Sequence, residues 1–303
     1  MLSTSSRGTP GPAGRRVRRW VTAAAALLGL AVTAAVVQTA GPARSVAPAR
    51  TLTVATWNMC GVRQWNCADT GGQAAKRHGI EALATRSGAR AVLLQEACAA
   101  DVRAARTALG RAWHSAFHAY TWRDGAGRRT TVRCAGAGRG AAGIAILSAH
   151  PLSRVASLPA RQPSVGLQRG ILCASVAAHD VRLCNAHLSP AGSDLAHPGW
   201  ELRDDQMRTL VSAVPRGRTV YGGDLNTAPP GPGGPSSWVW PSAPYTVHRE
   251  CDQASGRSRA GRTTHTSGHK LDYLFTGLPR VRCTVRDTGV SDHMALLVGV
   301  RTG

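Results

Sequence analysis

Residues 291–300, "SDHMALLVGV", decide how the chain is to be read. The apolar tail is nearly continuous, which is the pattern of a strand buried on both faces. Asp292 and His293 precede that tail, so they emerge at a sheet edge where side chains can face a cleft. Taken alone, the pair is better read as a Ser-Asp turn capping a strand. Whether the two residues do chemistry depends on what other strands bring to the same edge.

Working outward, seven further segments read as strands: "LTVATWN" (52–58), "AVLLQE" (91–96), "GIAILS" (143–148), "GILCASVA" (170–177), "VRLCNAHL" (181–188), "TVYGGDLN" (219–226) and "LDYLFTG" (271–277). Helical periodicity marks residues 75–88, 101–112 and 199–214. In the last of these, Trp200, Met207, Leu210, Val211 and Val214 share one face and are expected in the core. The stretch 229–244, "PPGPGGPSSWVWPSAP", is a Pro/Gly/Ser-rich loop too short to separate domains. Many strands with few long helices exclude a wholly parallel sheet and indicate an α+β sandwich in one domain, residues 48–301.

Formal net charge is +21, and of 37 basic residues only Lys76 and Lys270 are lysine. Such a surface suits polyanions: nucleic acid, anionic lipid or phosphorylated substrates. Residues 1–43 read as an export signal, with a basic "RRVRRW", the apolar "VTAAAALLGLAVTAAVV" and small residues in "QTAGPA". An uncleaved membrane anchor is the rival reading. Residues 1–44 hold six arginines and no acid, so cleavage would leave a charge of 21 − 6 = +15. A secreted protein is therefore expected to stay basic.

Cys60, Cys67, Cys98, Cys134, Cys173, Cys184, Cys251 and Cys283 all follow the signal. An even count in an exported chain indicates disulfides. No Cys-x-x-Cys pair is present, which argues against a thiolate zinc site. Cys173 and Cys184 flank a short hairpin and are expected to bond, with Cys251–Cys283 a second bridge. How the other four pair is left open.

Polar residues recur where the strands end. Asn58 closes the first strand and Glu96 the second; His187 ends "CNAH"; Asp224 and Asn226 end "GGDLN"; Asp272 lies in "KLDYLF"; Asp292 and His293 open the last strand. Each has an ordinary explanation singly, as a turn cap, a solvated end or a satisfied core histidine. Jointly, carboxylates, amides and two histidines at the rims of apolar strands form a site if those strands share a sheet. Phosphodiester hydrolysis needs such a set. A hard cation held by oxygen donors neutralises phosphate charge, a base activates water, and cationic or amide donors face the non-bridging oxygens.

The ordered motifs "TWN", "LQE", "NAHL", "GGDLNTAP", "KLDYLF" and "SDHMAL" resemble the DNase I-like endonuclease/exonuclease/phosphatase superfamily over about residues 50–300. The resemblance implies a four-layer α/β sandwich with two central, mostly antiparallel sheets. It implies Mg²⁺ as cofactor, with Mn²⁺ or Ca²⁺ as substitutes, held by Glu96 with Asn58 and Asp292 beside it. It implies that Asp272 orients His293, which serves as base or phosphate-binding group. His187 then acts as acid or transition-state stabiliser, Asp224 aligns or deprotonates water, and Asn226 binds a phosphate oxygen. Arg169 matches a phosphate-contacting arginine, although a solvated arginine explains it nearly as well.

The superfamily acts on several phosphodiesters, so the fold alone does not choose the substrate. Basic charge and secretion point to nucleic acid. The alternative is a choline or anionic phospholipid, suggested by Trp238, Trp240 and Tyr245 in "SSWVWPSAPY" (236–245). A non-catalytic polyanion-binding module is the third reading. Nothing in the sequence calls for an obligate protein partner, and a monomer is expected.

Overall fold

The computed structural model describes residues 50–303 apart from Ala68. The expected export signal lies outside the described residues. In chain order the strands are β1 (Thr51–Asn58), β2 (Ala91–Cys98), β3 (His114–Ala119), β4 (Thr121–Arg123), β5 (Arg129–Thr131), β6 (Ala142–Ser148), β7 (Leu152–Ser157) and β8 (Gly166–Gln168). They continue as β9 (Gly170–Val176), β10 (Val181–His187), β11 (Thr219–Asp224), β12 (Arg249–Glu250), β13 (Asp272–Thr276), β14 (Arg280–Arg286) and β15 (Ala295–Arg301). Helices α1 (Gln73–Thr85), α2 (Ala99–Leu109), α3 (Arg203–Ser212) and α4 (Ala243–Thr246) complete the set with three single-turn elements.

Two six-stranded sheets run β14-β15-β1-β2-β6-β3 and β12-β13-β11-β10-β9-β7, with a small sheet β5-β4-β8 beside them. Strand alternation explains the layers. Leu52 and Val54 of β1 face the space between the large sheets, where Leu93, Ile144, Leu172, Leu183, Leu274 and Val298 meet them. Ala55 and Trp57 point the other way and pack with Ile80 and Leu83 of α1 and Val102 of α2. On the outer face of the second sheet, Tyr221 and Phe275 pack with Met207 and Leu210 of α3. This is the four-layer α/β sandwich that the motifs imply, with each central strand buried on both faces.

Each large sheet is mixed, holding one parallel pair among antiparallel neighbours. In the first sheet β1 runs parallel to β2, which places Asn58 beside Gln95. In the second, β10 runs parallel to β11, which places His187 beside Asp224. The antiparallel β13 begins where β11 ends, so Asp272 sits opposite Asp224. Parallel pairing is therefore what collects these ends at one pole. Two glycines in "YGGD" permit it: a Cβ on Gly223 would lie 1.9 Å from the Ala186 carbonyl oxygen, and one on Gly222 would lie 1.9 Å from that of Tyr273.

All four disulfides form: Cys173–Cys184 and Cys251–Cys283 as expected, with Cys60–Cys67 and Cys98–Cys134 completing the set. The expected helix over 199–214 is shorter, and Trp200 is not a core residue. It lies before α3, 43 % exposed, with its ring stacked on His197 at 3.8 Å. Of the aromatic loop, Trp240 and Tyr245 pack against Phe275, and Trp240 Nε1 donates to the Ala228 carbonyl; only Trp238 is largely exposed. Among the described residues, no helix is long and apolar enough to cross a membrane.

Candidate active site

A bend in β2 aims the first carboxylate. The register of β2 against β6 shifts between Leu94 and Ala97, and Glu96 inside this bulge takes φ +49°. A bulge of this kind leaves its extra residue unpaired and re-aims the side chain. Cys60 (φ +44°) and Asn226 (φ +50°) are also left-handed, so conformations uncommon for these residues cluster at this pole.

The side chains converge as a connected set. Asn58 Nδ2 donates to Asp224 Oδ2 at 3.0 Å and lies 3.4 Å from Glu96 Oε1. The oxygen of the same amide accepts from the Cys60 backbone N–H at 3.0 Å. As it stands, Asn58 holds two carboxylates together with its NH₂ group. Asp224 Oδ1 accepts from the Asn226 N–H at 2.9 Å, while Asp224 Oδ2 is 3.4 Å from His187 Nε2 and 3.8 Å from His293 Nε2. His293 Nδ1 pairs with Asp272 Oδ2 at 2.8 Å. Arg169 Nε donates to His187 Nε2 at 3.2 Å, and Asn226 Nδ2 donates to the Leu188 carbonyl at 2.8 Å. Asp292 is half-buried beside His293, and Ser291 Oγ donates to the Asn58 carbonyl at 2.7 Å. Glu96 and the two histidines, distant along the chain, thus meet through Asn58 and Asp224.

Proton positions follow from the partners. Guanidinium nitrogens only donate, so His187 Nε2 carries the lone pair and its Nδ1–H points to the Tyr120 hydroxyl, 2.7 Å away. Burial, followed by the Arg169 and His293 cations, holds His187 far below its ordinary value, so it is neutral. His293 behaves oppositely. Burial opposes its charge, but the carboxylates of Asp272 and Asp224 outweigh that and lift it to about 10, making it an imidazolium at neutral pH. Burial also raises Asp224, and it lifts Glu96 to about 7 against the pull of Arg169.

Four residues of this pole escape a reading of strand ends. Tyr120 touches both His187 Nδ1 and the Glu96 backbone N–H, the latter at 3.2 Å. Gln95 Nε2 donates to Asn185 Oδ1 at 2.6 Å, and Asn185 Nδ2 donates to the carbonyls of Leu94 and Ala145, both at 2.8 Å. That bond staples the two sheets directly behind the cleft. Buried polar groups must find partners, so the signal for Gln95 and Asn185 lies in "LLQE" and "LCNAH", where each interrupts an apolar run. His265 stands edge-on to His293 with ring centroids 4.5 Å apart, its Nε2 3.5 Å from Asp292 Oδ2. It comes from a polar loop that carries no periodic signal.

The donor set fits a hard divalent cation. Glu96 and Asp224 carboxylates crowd around a single amide, and burial raises both even against the His293 cation, so a divalent ion would stabilise their charged forms. Oxygen donors of this kind suit Mg²⁺, Mn²⁺ or Ca²⁺ rather than a thiophilic metal. Nearby Cys60 and Cys67 are bonded to each other and offer no thiolate.

Sandwich and cleft together define a class: a DNase I-like α/β sandwich with a carboxylate, amide and histidine cleft at the end of its paired sheets. The chain belongs to the endonuclease/exonuclease/phosphatase family, whose model matches residues 55–293. Among solved structures it is similar to an endonuclease/exonuclease/phosphatase from Beutenbergia cavernae, at 21 % identity and TM-score 0.58, covering 84 % of this chain and 72 % of that one. It is also similar to a humanized D. rerio TDP2 (15 % identity, TM-score 0.57, covering 83 % of this chain and 99 % of that one). The human Nocturnin catalytic domain with bound sulfate is a third (16 %, 0.55, 82 % and 92 %). At these identities the likeness speaks for the fold. No curated protein matches the chain.

Proposed function

We propose that the protein is a secreted, metal-dependent phosphodiesterase that hydrolyses the backbone of nucleic acid. The observation that carries this reading is the convergence of Glu96, Asn58, Asp224, His187, Arg169 and the Asp272–His293 pair in one cleft. A divalent ion held there by Glu96, with Asn58 and Asp292 beside it, would neutralise phosphate charge and polarise the scissile phosphorus. The chain's own groups supply the rest. His293, as an imidazolium, and Arg169 donate to non-bridging oxygens through Nε2 and the guanidinium. Asp224, between the two histidines, aligns a water. As the water oxygen bonds to phosphorus, its proton passes to Asp224, the bond to the leaving oxygen breaks, and that oxygen takes up a proton from solvent water. Neutral His187 has no proton on Nε2 to give, so its role here is to position Arg169. Asn226 orients Asp224 through its backbone N–H.

Nucleic acid is favoured over lipid by charge and by the aromatic loop. The chain is strongly basic, which suits a phosphate backbone, and two of the three loop aromatics are packed inside the domain. Four disulfides are compatible with an extracellular site of action. The test is release of product from duplex DNA, RNA and sphingomyelin vesicles, with Mg²⁺ and with EDTA. Nucleic-acid cleavage abolished by EDTA and restored by Mg²⁺ is expected. Vesicle hydrolysis with intact DNA and RNA would overturn the substrate, and binding of all three without turnover would overturn the enzyme.

A further inference from the structure

Far from the cleft, two imidazoles meet. His150 lies in the turn after β6 of the first sheet, and His179 in the turn between β9 and β10 of the second. Their Nε2 atoms are 3.3 Å apart and the rings are edge-on, with centroids at 4.9 Å. His179 precedes β10 and His187 ends it, so the strand's rise of ~3.3 Å per residue puts roughly 25 Å between this pair and the catalytic pole.

The Thr302 hydroxyl anchors the far nitrogen of His179, meeting Nδ1 at 2.8 Å and the Arg50 carbonyl at 3.2 Å. With the hydrogen of His179 on Nδ1, its lone pair sits on Nε2 and accepts from His150 Nε2–H. Anchoring of the far ring nitrogen is how metal-binding histidines are usually oriented. The spacing also suits coordination. Zinc–nitrogen bonds of about 2.0–2.1 Å at a tetrahedral angle set two ligand nitrogens about 3.3–3.4 Å apart.

We propose that His150 and His179 form a second metal site, taking a borderline divalent ion such as Zn²⁺ through their Nε2 atoms with water completing the shell. The site is independent of the phosphodiesterase cleft. That cleft joins carboxylate oxygens to histidines, as in His265, Asp292 and His293, whereas this pair offers imidazole alone. Because one ligand comes from each sheet, an ion here clamps the sandwich at the pole opposite the cleft and, through Thr302, ties down the C-terminal segment. The ion takes the place of the bond between the two rings, and His150 frees its Nε2 by moving its hydrogen to Nδ1. The charges facing the pair are all basic: Arg50, Arg90 and His114 toward His150, and Arg50, Arg90 and Arg218 toward His179. Arg218 is neutralised by Asp180 at 2.7 Å, while Arg50 and Arg90 are exposed and screened by solvent. Their positive charge opposes a cation and lowers the affinity of the site.

The experiment is calorimetric titration of ZnCl₂ into the exported chain carrying Glu96→Gln, in millimolar Mg²⁺, with any binding that survives in the His150 and His179 variants assigned to the cleft, where His265, Asp292 and His293 remain. One equivalent is expected to bind with micromolar Kd and to raise Tm by a few degrees. The site should weaken at least tenfold in both His150→Ala and His179→Ala, while nucleic-acid cleavage by these variants in the Glu96 background stays at the parental rate. His150 is only half-buried, so His150→Gln keeps the test valid if His179→Ala fails to fold. Absence of zinc binding in the parent, or equal titrations in parent and His150 variants, would overturn the proposal without touching the phosphodiesterase reading.

Discussion

Asp272→Asn tests the electrostatics of the cleft most directly. It keeps the size of the side chain that holds His293 Nδ1 at 2.8 Å and removes its charge. In the wild type His293 stays protonated up to about 10, so at pH 8 about 99 % of it is imidazolium. Without the Asp272 charge, burial and the remaining Asp224 carboxylate pull in opposite directions, and the ordinary value near 6.5 is a generous ceiling. At that value about 3 % is imidazolium at pH 8 and about a quarter at pH 7. Phosphate contact by the charged ring thus predicts a loss of about thirtyfold at pH 8 and about fourfold at pH 7, with partial recovery toward pH 6. The sign is fixed: activity requires the acid form, so it falls as pH rises through the histidine's pKa, and the variant's fall comes more than three pH units earlier. The assay is a pH–rate profile of kcat/KM for Mg²⁺-dependent cleavage, read beside ¹⁵N titration of the His293 ring. An Asp272→Asn profile whose basic limb stays where the wild type has it would refute the assignment. The same pairing contributes stability that is fully present below about 6.5 and lost as pH rises through about 10, so alkaline unfolding should ease in the wild type and change less in the variant.

Other outcomes follow from the same geometry. Glu96 is lifted to about 7, so between its ordinary 4.5 and 7 the folded state retains a proton that the unfolded chain has released, and stability falls as pH rises through that window. Glu96→Gln should remove that slope, raising Tm at pH 8 in EDTA but not at pH 4, while hydrolysis drops by orders of magnitude. Asn185→Leu leaves the Leu94 and Ala145 carbonyls without this donor and Gln95 bonded only within its own sheet, and should cost about 2–4 kcal/mol in urea unfolding. Gly223→Ala drives a methyl into the Ala186 carbonyl at a φ of +129°, so the β10–β11 pairing that sets His187 beside Asp224 should fail. That variant is expected either insoluble or folded with cleavage below a hundredth of wild type; near-normal turnover would show that the strand can shift without cost.

What the sequence by itself determined is the set of buried strands and the polar residues at their ends. A strand covered on both faces is apolar along its length, and this signal is local, which is why β1, β2, β6, β9, β10, β11, β13 and β15 are legible in single stretches. The hairpin position of Cys173 and Cys184 is local in the same way. Edge strands are not: β7 is mostly exposed, β14 is only partly buried, and both carry arginines, so they lack an apolar run, and only their neighbours' unpaired backbone defines them. Trp200 fits a helical stripe by spacing, yet the chain before α3 is not helical, and the ring finds His197 instead. Tertiary structure alone decided how the ends meet. Parallel pairing brings Asn58 to Gln95 and His187 to Asp224, the bulge turns Glu96 inward, and the Gln95–Asn185 bond fixes the sheets over one another. The charge states of the two histidines were likewise beyond the sequence, because burial and the distance to a carboxylate or guanidinium, rather than residue type, decide whether an imidazole holds its proton.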